Sequence, residues 1–431
     1  MSPSSRLPRS AFDALDLALA PLDAWAERRY PGGASTGQPV HTVYVPADRA
    51  EPGLCAAWGE QALSALDTFA SSPEALAAAT GLAADEVAGA WTPLRARLET
   101  QPIADLRIDL EDGYGDRTDA AEDADALRAA RVLRAESQAP GGPPRGGIRH
   151  RSLERATRQR AVRTLELVVG ALAADGDGPP AGFALTLPKV VDERQVRAYG
   201  RLLAALEQAH GLPHGALPFE IQVETPQAIL AADGRLPLAP MLDAGGGRVR
   251  GLHFGTYDYT AAMGVSAAHQ RAQHPVAQLA KGVMRLAAAG TGVEVSDGST
   301  NRLPLGTAAQ VHEGWRTHAA LVEGALADGL RQGWDLHPAQ LVTRHLVNIV
   351  VARRTLSGAL TRLAVYFAAT ADGGAQTAES GATLDEPATA QALAADAVRA
   401  LALGAASEAE VTAGAGVPVE RLRAFADRRV A

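Results

Sequence analysis

Short segments with an alternating or mainly apolar pattern recur eight times along this 431-residue chain. The clearest is FEIQVETP at 219–226, in which three apolar residues alternate with two glutamates and a glutamine before a threonine and a proline. A period of two residues is typical of a strand, and proline ends such a strand. The eight predicted strands are 41–46, 105–112, 147–152, 182–190, 219–226, 250–258, 291–298 and 333–338.

Segments with a helical pattern separate these strands, as at 154–175, 193–210 and 314–333. In the last two, apolar residues recur at steps of three and four, as an amphipathic helix requires. Strand and helix alternating about eight times predict an α/β fold of the (β/α)8 TIM-barrel type. A doubly wound open sheet is the competing topology, but no GxGxxG motif follows the first strand to support its nucleotide-binding version. The first interval, 47–104, is long enough for two or three helices.

The pattern changes beyond the last predicted strand. Residues 339–370 and 387–431 have helical patterns without further strands, and 372–387 is loop-like. A Pro/Gly-rich stretch at 134–147 predicts another loop. We therefore predict an N-terminal helical extension at 1–40, a TIM-barrel catalytic domain at 41–345, and a C-terminal helical segment at 346–431 that acts as a lid or in oligomerisation.

Composition and charge narrow the class of protein. The chain is 47% hydrophobic and 21% charged, which is ordinary for a globular enzyme. Its net charge of −8 and its lack of a long basic run argue against a nucleic-acid partner. A single cysteine excludes an internal disulfide framework and a cysteine-based zinc site. Aspartates interrupt the N-terminal apolar pattern, and no window resembles a membrane span, so we predict a cytoplasmic protein without a membrane partner.

Ionisable residues occupy seven of the eight predicted strand ends. In a TIM barrel these ends converge on one opening, where the chemistry takes place. Any one such residue is more often a solvated surface group, but the set as a whole favours a functional site. In chain order these residues are Glu111 and Asp112, Arg149, Lys189, Glu224, Asp258, Asp297 and His337.

The mixture of side chains predicts a class of chemistry. Several carboxylates without cysteine form an oxygen site suited to Mg²⁺ or Mn²⁺. Arg149 offers a planar fork for a substrate carboxylate. Together, a divalent cation and an arginine suit a 2-oxo acid or an enolate. Lys189 adds positive charge; a Schiff-base role is also open to it, but a neighbouring proline and the nearby carboxylates favour an ion pair.

Two of the strand-end residues have a structural alternative of equal or greater weight. A lone histidine such as His337 at the end of a strand is more often structural than substrate-binding. Asp297 belongs to DGSTN at 297–301, which slightly favours a capped turn over contact with substrate. Both residues stay, together with Arg149 and Lys189, in the set of candidate substrate-binding residues.

Seven motifs occur along the chain in a characteristic order. They are VYVPADR (43–49), IDLEDGYGDR (108–117), IRHRS (148–152), LPKV (187–190), QVETPQAI (222–229), FGTYDYTAAMGV (254–265) and LHPAQL (336–341). With these motifs the chain resembles the HpcH/HpaI aldolase and citrate lyase beta-subunit family, within the phosphoenolpyruvate/pyruvate-type barrel superfamily that also includes malate synthases and malyl-CoA-type lyases. The resemblance runs from about residue 41 to 345.

The resemblance implies roles for the matching residues. Glu224 of ETP and Asp258 of GTYD would be the two protein ligands of Mg²⁺. Arg149 would bind the substrate carboxylate. Glu111 and Asp112 match the LED acids that lie beside the metal and hold its waters. In addition, Lys189 matches the lysine of the family's PK strand.

The tail carries a further candidate. GATLDEPATAQAL at 381–393 is similar to a family segment whose aspartate acts as acid and base, often in the site of a neighbouring protomer. That similarity makes Asp385 a catalytic candidate and implies a homo-oligomer, a trimer or hexamer. The alternative is an ordinary helix N-cap, since Asp385 precedes Glu386 and Pro387.

These observations predict a Mg²⁺-dependent carbon–carbon lyase of retro-aldol or Claisen type. It would act on a 2-oxo or 3-hydroxy acid, or its coenzyme A thioester, through a metal-stabilised enolate. Arg145, Arg149 and Arg151 could meet the phosphates of coenzyme A, although a solvated basic loop explains them equally well. The alternatives are a metal-dependent acyl or thioester hydrolase and a non-catalytic ligand-binding barrel.

Overall fold

The computed structural model describes residues 7–32, 37–174, 178–371 and 385–427. Eight parallel strands form one sheet, in the order β7-β6-β5-β4-β3-β2-β1-β8. The strands are β1 His41–Pro46, β2 Asp105–Asp109, β3 Arg145–Arg149, β4 Phe183–Leu187, β5 Phe219–Val223, β6 Val249–Phe254, β7 Glu294–Ser296 and β8 Gly333–Asp335.

The two ends of this sheet meet. A parallel bridge joins Ser296 to Gln332 between β7 and β8. The N–H of Asp297 donates to the carbonyl oxygen of Gln332 at 2.8 Å, and the N–H of Trp334 donates to that of Gly298 at 3.2 Å. The sheet is therefore a nearly closed TIM-like barrel, which confirms the predicted fold class and excludes an open doubly wound sheet.

Helices surround the barrel and continue beyond both of its ends. The long first crossover contains three helices, as the length of 47–104 predicts. The helices are α1 Arg9–Arg29, α2 Leu54–Phe69, α3 Pro73–Thr80, α4 Ala84–Thr100, α5 Asp119–Gln138, α6 Arg158–Ala174, α7 Glu193–Ala209, α8 Pro226–Ile229, α9 Leu238–Ala244, α10 Thr256–Ala262, α11 Pro275–Ala288, α12 Ala308–Ala327, α13 Pro338–Ala371, α14 Pro387–Ala402, α15 Glu408–Ala415 and α16 Val419–Ala426.

Some predicted boundaries were wrong, and the reasons are local. The predicted loop at 134–147 is confined to 139–144, because α5 continues to Gln138 and β3 begins at Arg145. The helix predicted at 314–333 runs from Ala308 to Ala327. Thr307 and Gln310 form a capping box that starts this helix earlier, and the left-handed Gly329 follows its end.

The helix α13 has 34 residues, which corresponds to about 51 Å at the usual rise per residue. It begins directly after β8 and packs against α2, α4, α12, α14 and α15. The predicted domain boundary at 345 lies within this continuous helix. Within the described part of the chain, no helix is both long enough and apolar enough to cross a membrane.

The alternation within the strands separates an apolar outer face from a polar interior. Leu106, Ile108 and Ile221 belong to the core between strands and helices and are fully buried. Charged side chains occupy the opposite face, where TIM barrels more often hold branched apolar residues. At the lower end of the barrel, Arg107 donates to Glu220 at 2.9 Å and to Asp105 at 3.0 Å.

A second buried ionic cluster lies outside the barrel, where β8 meets β1. Both oxygens of Asp335 are engaged: Arg344 donates to them at 2.9 and 3.0 Å, His41 lies at 2.8 Å and His318 at 3.1 Å. Burial alone would raise the pKa of Asp335, but Arg344 and the two histidines outweigh it and hold that pKa well below its usual range. This carboxylate thus ties β1 and β8 to α12 and α13.

Replacing the central carboxylate of that cluster is expected to be costly. Asp335→Ala leaves a buried arginine without its partner, so we expect the free energy of unfolding to fall by about 3–5 kcal/mol. Asp243→Ala is the matched control, because the Asp243 side chain is 62% exposed in its ion pair with Arg29, and its loss should cost less than about 1 kcal/mol. Urea denaturation measures both variants, and an equal loss of stability in the two would contradict the role given to Asp335.

Candidate metal and substrate site at the barrel mouth

A cavity of about 610 Å³ opens at the carboxyl ends of the strands. Tyr44 of β1 and Trp334 of β8 form an aromatic wall, with their ring centroids 4.5 Å apart. Arg149 of β3 and Gln222 of β5 also line the cavity, together with Asp258 of α10. The residues that line the cavity therefore come from several strands and from the loops that follow them.

Glu224 is held in place from two sides. Directly after β5, it is 1% exposed, and its Oε1 accepts the backbone N–H of Lys189 at 2.7 Å. The side-chain amide of Gln222 donates to the other oxygen. Gly255 passes close by: a Cβ at that position would lie 2.5 Å from the Cβ of Glu224. Glycine at 255 thus lets the start of α10 approach Glu224.

The ammonium group of Lys189 lies among four carboxylates. Its Nζ is 2.8 Å from Asp258, 3.3 Å from Asp112, and 3.6 Å from both Glu111 and Glu224. Burial opposes the charged form, but these acids outweigh it and raise the pKa of Lys189. Lys189 is also the only non-glycine residue with a positive φ, 54°, among those the structure describes. Strain of this kind is often found at functional sites.

Three of these acids could hold a metal ion. Asp112, Glu224 and Asp258 each offer one oxygen, and these oxygens lie within 4.8 Å of one another. Burial raises the pKa of Glu224 to about 7 and that of Glu111 to about 8, partly offset by Lys189 and Arg149. A bound cation would offset the negative charge of these neighbouring carboxylates, and their oxygen donors suit Mg²⁺ or Mn²⁺. The residues thus fit the predicted ion.

Arg149 is oriented by Asp109. Its Nε and Nη2 donate to the two oxygens of Asp109 at 2.7 and 2.6 Å. The guanidinium carbon lies 4.9 Å from the centre of the Tyr44 ring. Nη1 is 3.3 Å from Oε1 of Gln222 and 3.4 Å from Glu111. The edge formed by Nε and Nη2 is therefore committed to Asp109, whereas Nη1 has longer contacts with Gln222 and Glu111.

The same aspartate also organises the loop that carries the LED acids. Oδ1 of Asp109 accepts the N–H of Glu111 at 3.0 Å, and Oδ2 accepts the N–H of Gly113 at 2.8 Å. A side chain at position 113 would place its Cβ 2.6 Å from Oδ2. In IDLEDGYGDR, Asp109 is two residues before Glu111 and so shares its face of the strand, but we predicted no role for it. Tyr44, Trp334 and Gln222 were missed, although Gln222 is likewise two residues before Glu224.

Two of the predicted strand-end residues lie elsewhere. Asp297 is 2% exposed and accepts hydrogen bonds from Lys281 at 3.0 and 3.1 Å. His337 accepts the N–H of Ala339 at the start of α13 and faces a separate cavity beside α2 and α12. Neither residue lines the cavity at the barrel mouth, so the structure does not bring them to the candidate site.

Asp385 also lies apart from that cavity. It pairs with Arg362 of α13, which lowers its pKa. The N-cap of α14 is Glu386, so Asp385 does not have the capping position that the sequence allowed. The residues before it in the predicted motif, 381–384, lie outside the described residues.

The predicted basic cluster is not assembled either. Arg145 donates to Glu294 at 3.0 Å near the lower end of the barrel, and Arg151 donates to Glu122 at 2.8 Å. Only Arg149 of the three lines the cavity. Arg49, the last residue of the VYVPADR motif and one for which we predicted no role, lies on the cavity wall and forms no ion pair with the described residues.

Comparison with known proteins adds a family and a fold. A family model described as a domain of unknown function (DUF6986) matches residues 19–430. Citrate lyase from Burkholderia xenovorans LB400 is 20% identical, with a TM-score of 0.53 over 75% of this chain and 91% of that chain. This likeness shows a shared fold. No curated protein matches the sequence.

Malate synthase from Haloferax volcanii is also similar, at 16% identity. Its magnesium/glyoxylate complex has a TM-score of 0.46 over 72% of this chain and 74% of that chain. Its pyruvate/acetyl-CoA ternary complex has a TM-score of 0.45 over 89% of this chain and 97% of that chain.

The acid cluster leads to a direct test. Glu224→Gln removes a charged oxygen donor but keeps the size of the side chain, so we expect binding of Mn²⁺ to weaken at least tenfold, or about 1.4 kcal/mol. Asp48→Asn is the control, because Asp48 pairs with Arg117 and is not among the grouped acids. Isothermal titration calorimetry measures both. Equal Mn²⁺ affinity in wild type and Glu224→Gln would remove Glu224 from the ligands.

Proposed function

The chain belongs to the DUF6986 family, and we propose that it is a divalent-metal-dependent carbon–carbon lyase of the HpcH/HpaI aldolase and citrate lyase beta-subunit type. Its substrate would be a 2-oxo or 3-hydroxy acid or the corresponding coenzyme A thioester. One observation carries the proposal: Asp112 and Asp258 line the same cavity as the oriented Arg149, and the buried Glu224 lies within 4.8 Å of both acids. The fold shared with citrate lyase is consistent with it.

Arg149 would hold the carboxylate of the substrate. Asp109 fixes the plane of the guanidinium, so Nη1 meets the ligand without first having to be ordered. Tyr44 and Trp334 shield this contact from water on one side, and a charge-assisted hydrogen bond is stronger where water is excluded. Gln222 contacts both Arg149 and Glu224, and so would fix the position of the substrate-binding arginine relative to the metal ligand.

Cleavage of a carbon–carbon bond next to a carbonyl leaves negative charge on an enolate oxygen. Asp112, Glu224 and Asp258 would hold Mg²⁺ or Mn²⁺, and the bound cation would supply positive charge near that oxygen. Glu111 and the second carboxylate oxygen of Asp112 would accept hydrogen bonds from water at the same place.

Proton transfer is assigned to Asp385 of a neighbouring protomer. Within its own chain Asp385 pairs with Arg362 and does not line the cavity. A role in proton transfer therefore requires a homo-oligomer in which α14 of one protomer lies near the barrel mouth of the next.

Activity on a panel of hydroxy acids and their thioesters tests the reaction class. With Mg²⁺ we expect release of pyruvate, oxaloacetate or glyoxylate, which a chelator abolishes. Arg149→Met should lower kcat/KM by roughly 100-fold or more, as the loss of an orienting charge does in other enzymes. Arg117→Met is the control, since Arg117 pairs with Asp48 and does not line the cavity.

The outcomes separate the alternatives. Release of a thiol or free acid without a 2-oxo product would indicate a hydrolase. Tight ligand binding without turnover of any compound would indicate a binding protein. Either result would overturn the proposed lyase.

A subunit-mixing experiment tests the role of Asp385. We expect Asp385→Asn and Glu224→Gln to be inactive alone, with metal binding kept in the first. In an equal mixture of the two variants, about one quarter of the sites combine an intact Glu224 in one protomer with an intact Asp385 in its neighbour. Mixed oligomers should therefore regain about one quarter of wild-type activity. An Asp385→Asn variant with full activity would show that this residue does not transfer the proton. An inactive variant without recovery on mixing would place its action within one chain.

A further inference from the structure

We propose that Lys189 is a built-in competitor of the divalent cation, whose ammonium group must leave the acid cluster before a metal ion can bind. This inference rests on the metal site of the proposed function. It assigns to Lys189 a control of metal affinity, in addition to the substrate-binding role that its strand-end position predicts.

The distances leave room for one cation. Nζ of Lys189 lies 2.8–3.6 Å from the same acids that could hold the ion. A Mg²⁺ ion would lie about 2.1 Å from each ligand oxygen, closer than the ammonium does. Since the three oxygens lie within 4.8 Å of one another, an ion and the ammonium cannot share the space between them.

The main chain and the side chain of Lys189 have separable tasks. The backbone N–H fixes Oε1 of Glu224 at 2.7 Å and depends on the left-handed φ of 54°. Any residue at 189 except proline retains this N–H. The ammonium, by contrast, is at the end of a flexible four-carbon chain, and its side chain is 20% exposed. Displacement of the ammonium thus requires rotation of the side chain only.

The competition would have two consequences. Without a metal ion, the ammonium offsets the repulsion among the carboxylates and keeps them close together. With a metal ion, four ion pairs are broken, so the net affinity is lower than the carboxylates alone would give. A variant without the ammonium should therefore bind the metal ion more tightly while its metal-free form is less stable.

Mn²⁺ titration of the full chain tests this inference. We expect Lys189→Met to bind Mn²⁺ at least about tenfold more tightly than wild type, because removal of a positive charge at contact distance also removes its repulsion. Arg49→Met removes the same charge from the cavity wall. Arg49 forms no ion pair with an acid among the described residues, so this change should alter the affinity less than about threefold. Lys189→Gln, which keeps a polar side chain, should behave like Lys189→Met.

Thermal unfolding supplies the second readout. The melting temperature of metal-free Lys189→Met should fall below that of wild type, and Mn²⁺ should raise it more than it raises that of wild type. If wild type binds Mn²⁺ and the two Lys189 variants bind it equally or less tightly, the inference is overturned and the metal site stands. If wild type binds no Mn²⁺, the proposed metal site itself fails. If Arg49→Met also binds Mn²⁺ at least about tenfold more tightly than wild type, the effect comes from overall charge. This result would also overturn the inference.

Discussion

The ion pair between Asp109 and Arg149 is the contact on which the candidate site depends. A charged group inside a barrel loses its hydration, and only a well-aligned partner offsets that loss. Each oxygen of Asp109 accepts one N–H of Arg149 and one backbone N–H of the following loop. One carboxylate thus orients the arginine and places the loop that carries Glu111.

The balance of acidic and basic side chains differs between the lower end of the barrel interior and its mouth. Near the lower end, Arg107 is matched by Asp105 and Glu220. At the mouth, acids outnumber the two basic groups Arg149 and Lys189, and the ammonium of Lys189 lies within 3.6 Å of four carboxylates. Carboxylates that outnumber their basic partners can bind a further cation, which is either the ammonium of a lysine or a metal ion from solution.

The sequence predicted the architecture well because the strand pattern is strong. All eight strands lie within or close to the predicted segments, since alternation and terminal prolines depend on neighbouring residues only. Helix ends were less accurate where a side-chain cap decided them, as at Thr307. The alternation in FEIQVETP also predicted that Glu220, Gln222 and Glu224 share a face, but it did not reveal that Asp105, Arg107, Asp109 and Arg149 point into the same interior.

The position of residues at strand ends predicted some members of the candidate site and not others. Position at a strand end brought Glu111, Asp112, Arg149, Lys189, Glu224 and Asp258 together, because parallel strands end at one opening. The same rule failed for Asp297, which turns towards Lys281, and for His337, which caps α13. Which way a side chain turns after its strand depends on partners distant in the sequence, and no local pattern contains them.

A crystal structure of the protein grown with Mn²⁺ tests the central claim most directly. Anomalous scattering locates the ion without reference to any assumed ligand. The account predicts one strong peak bounded by Asp112, Glu224 and Asp258, with the ammonium of Lys189 moved out of the cluster. A peak elsewhere, or a Lys189 ammonium still among the carboxylates at saturating Mn²⁺, would contradict it.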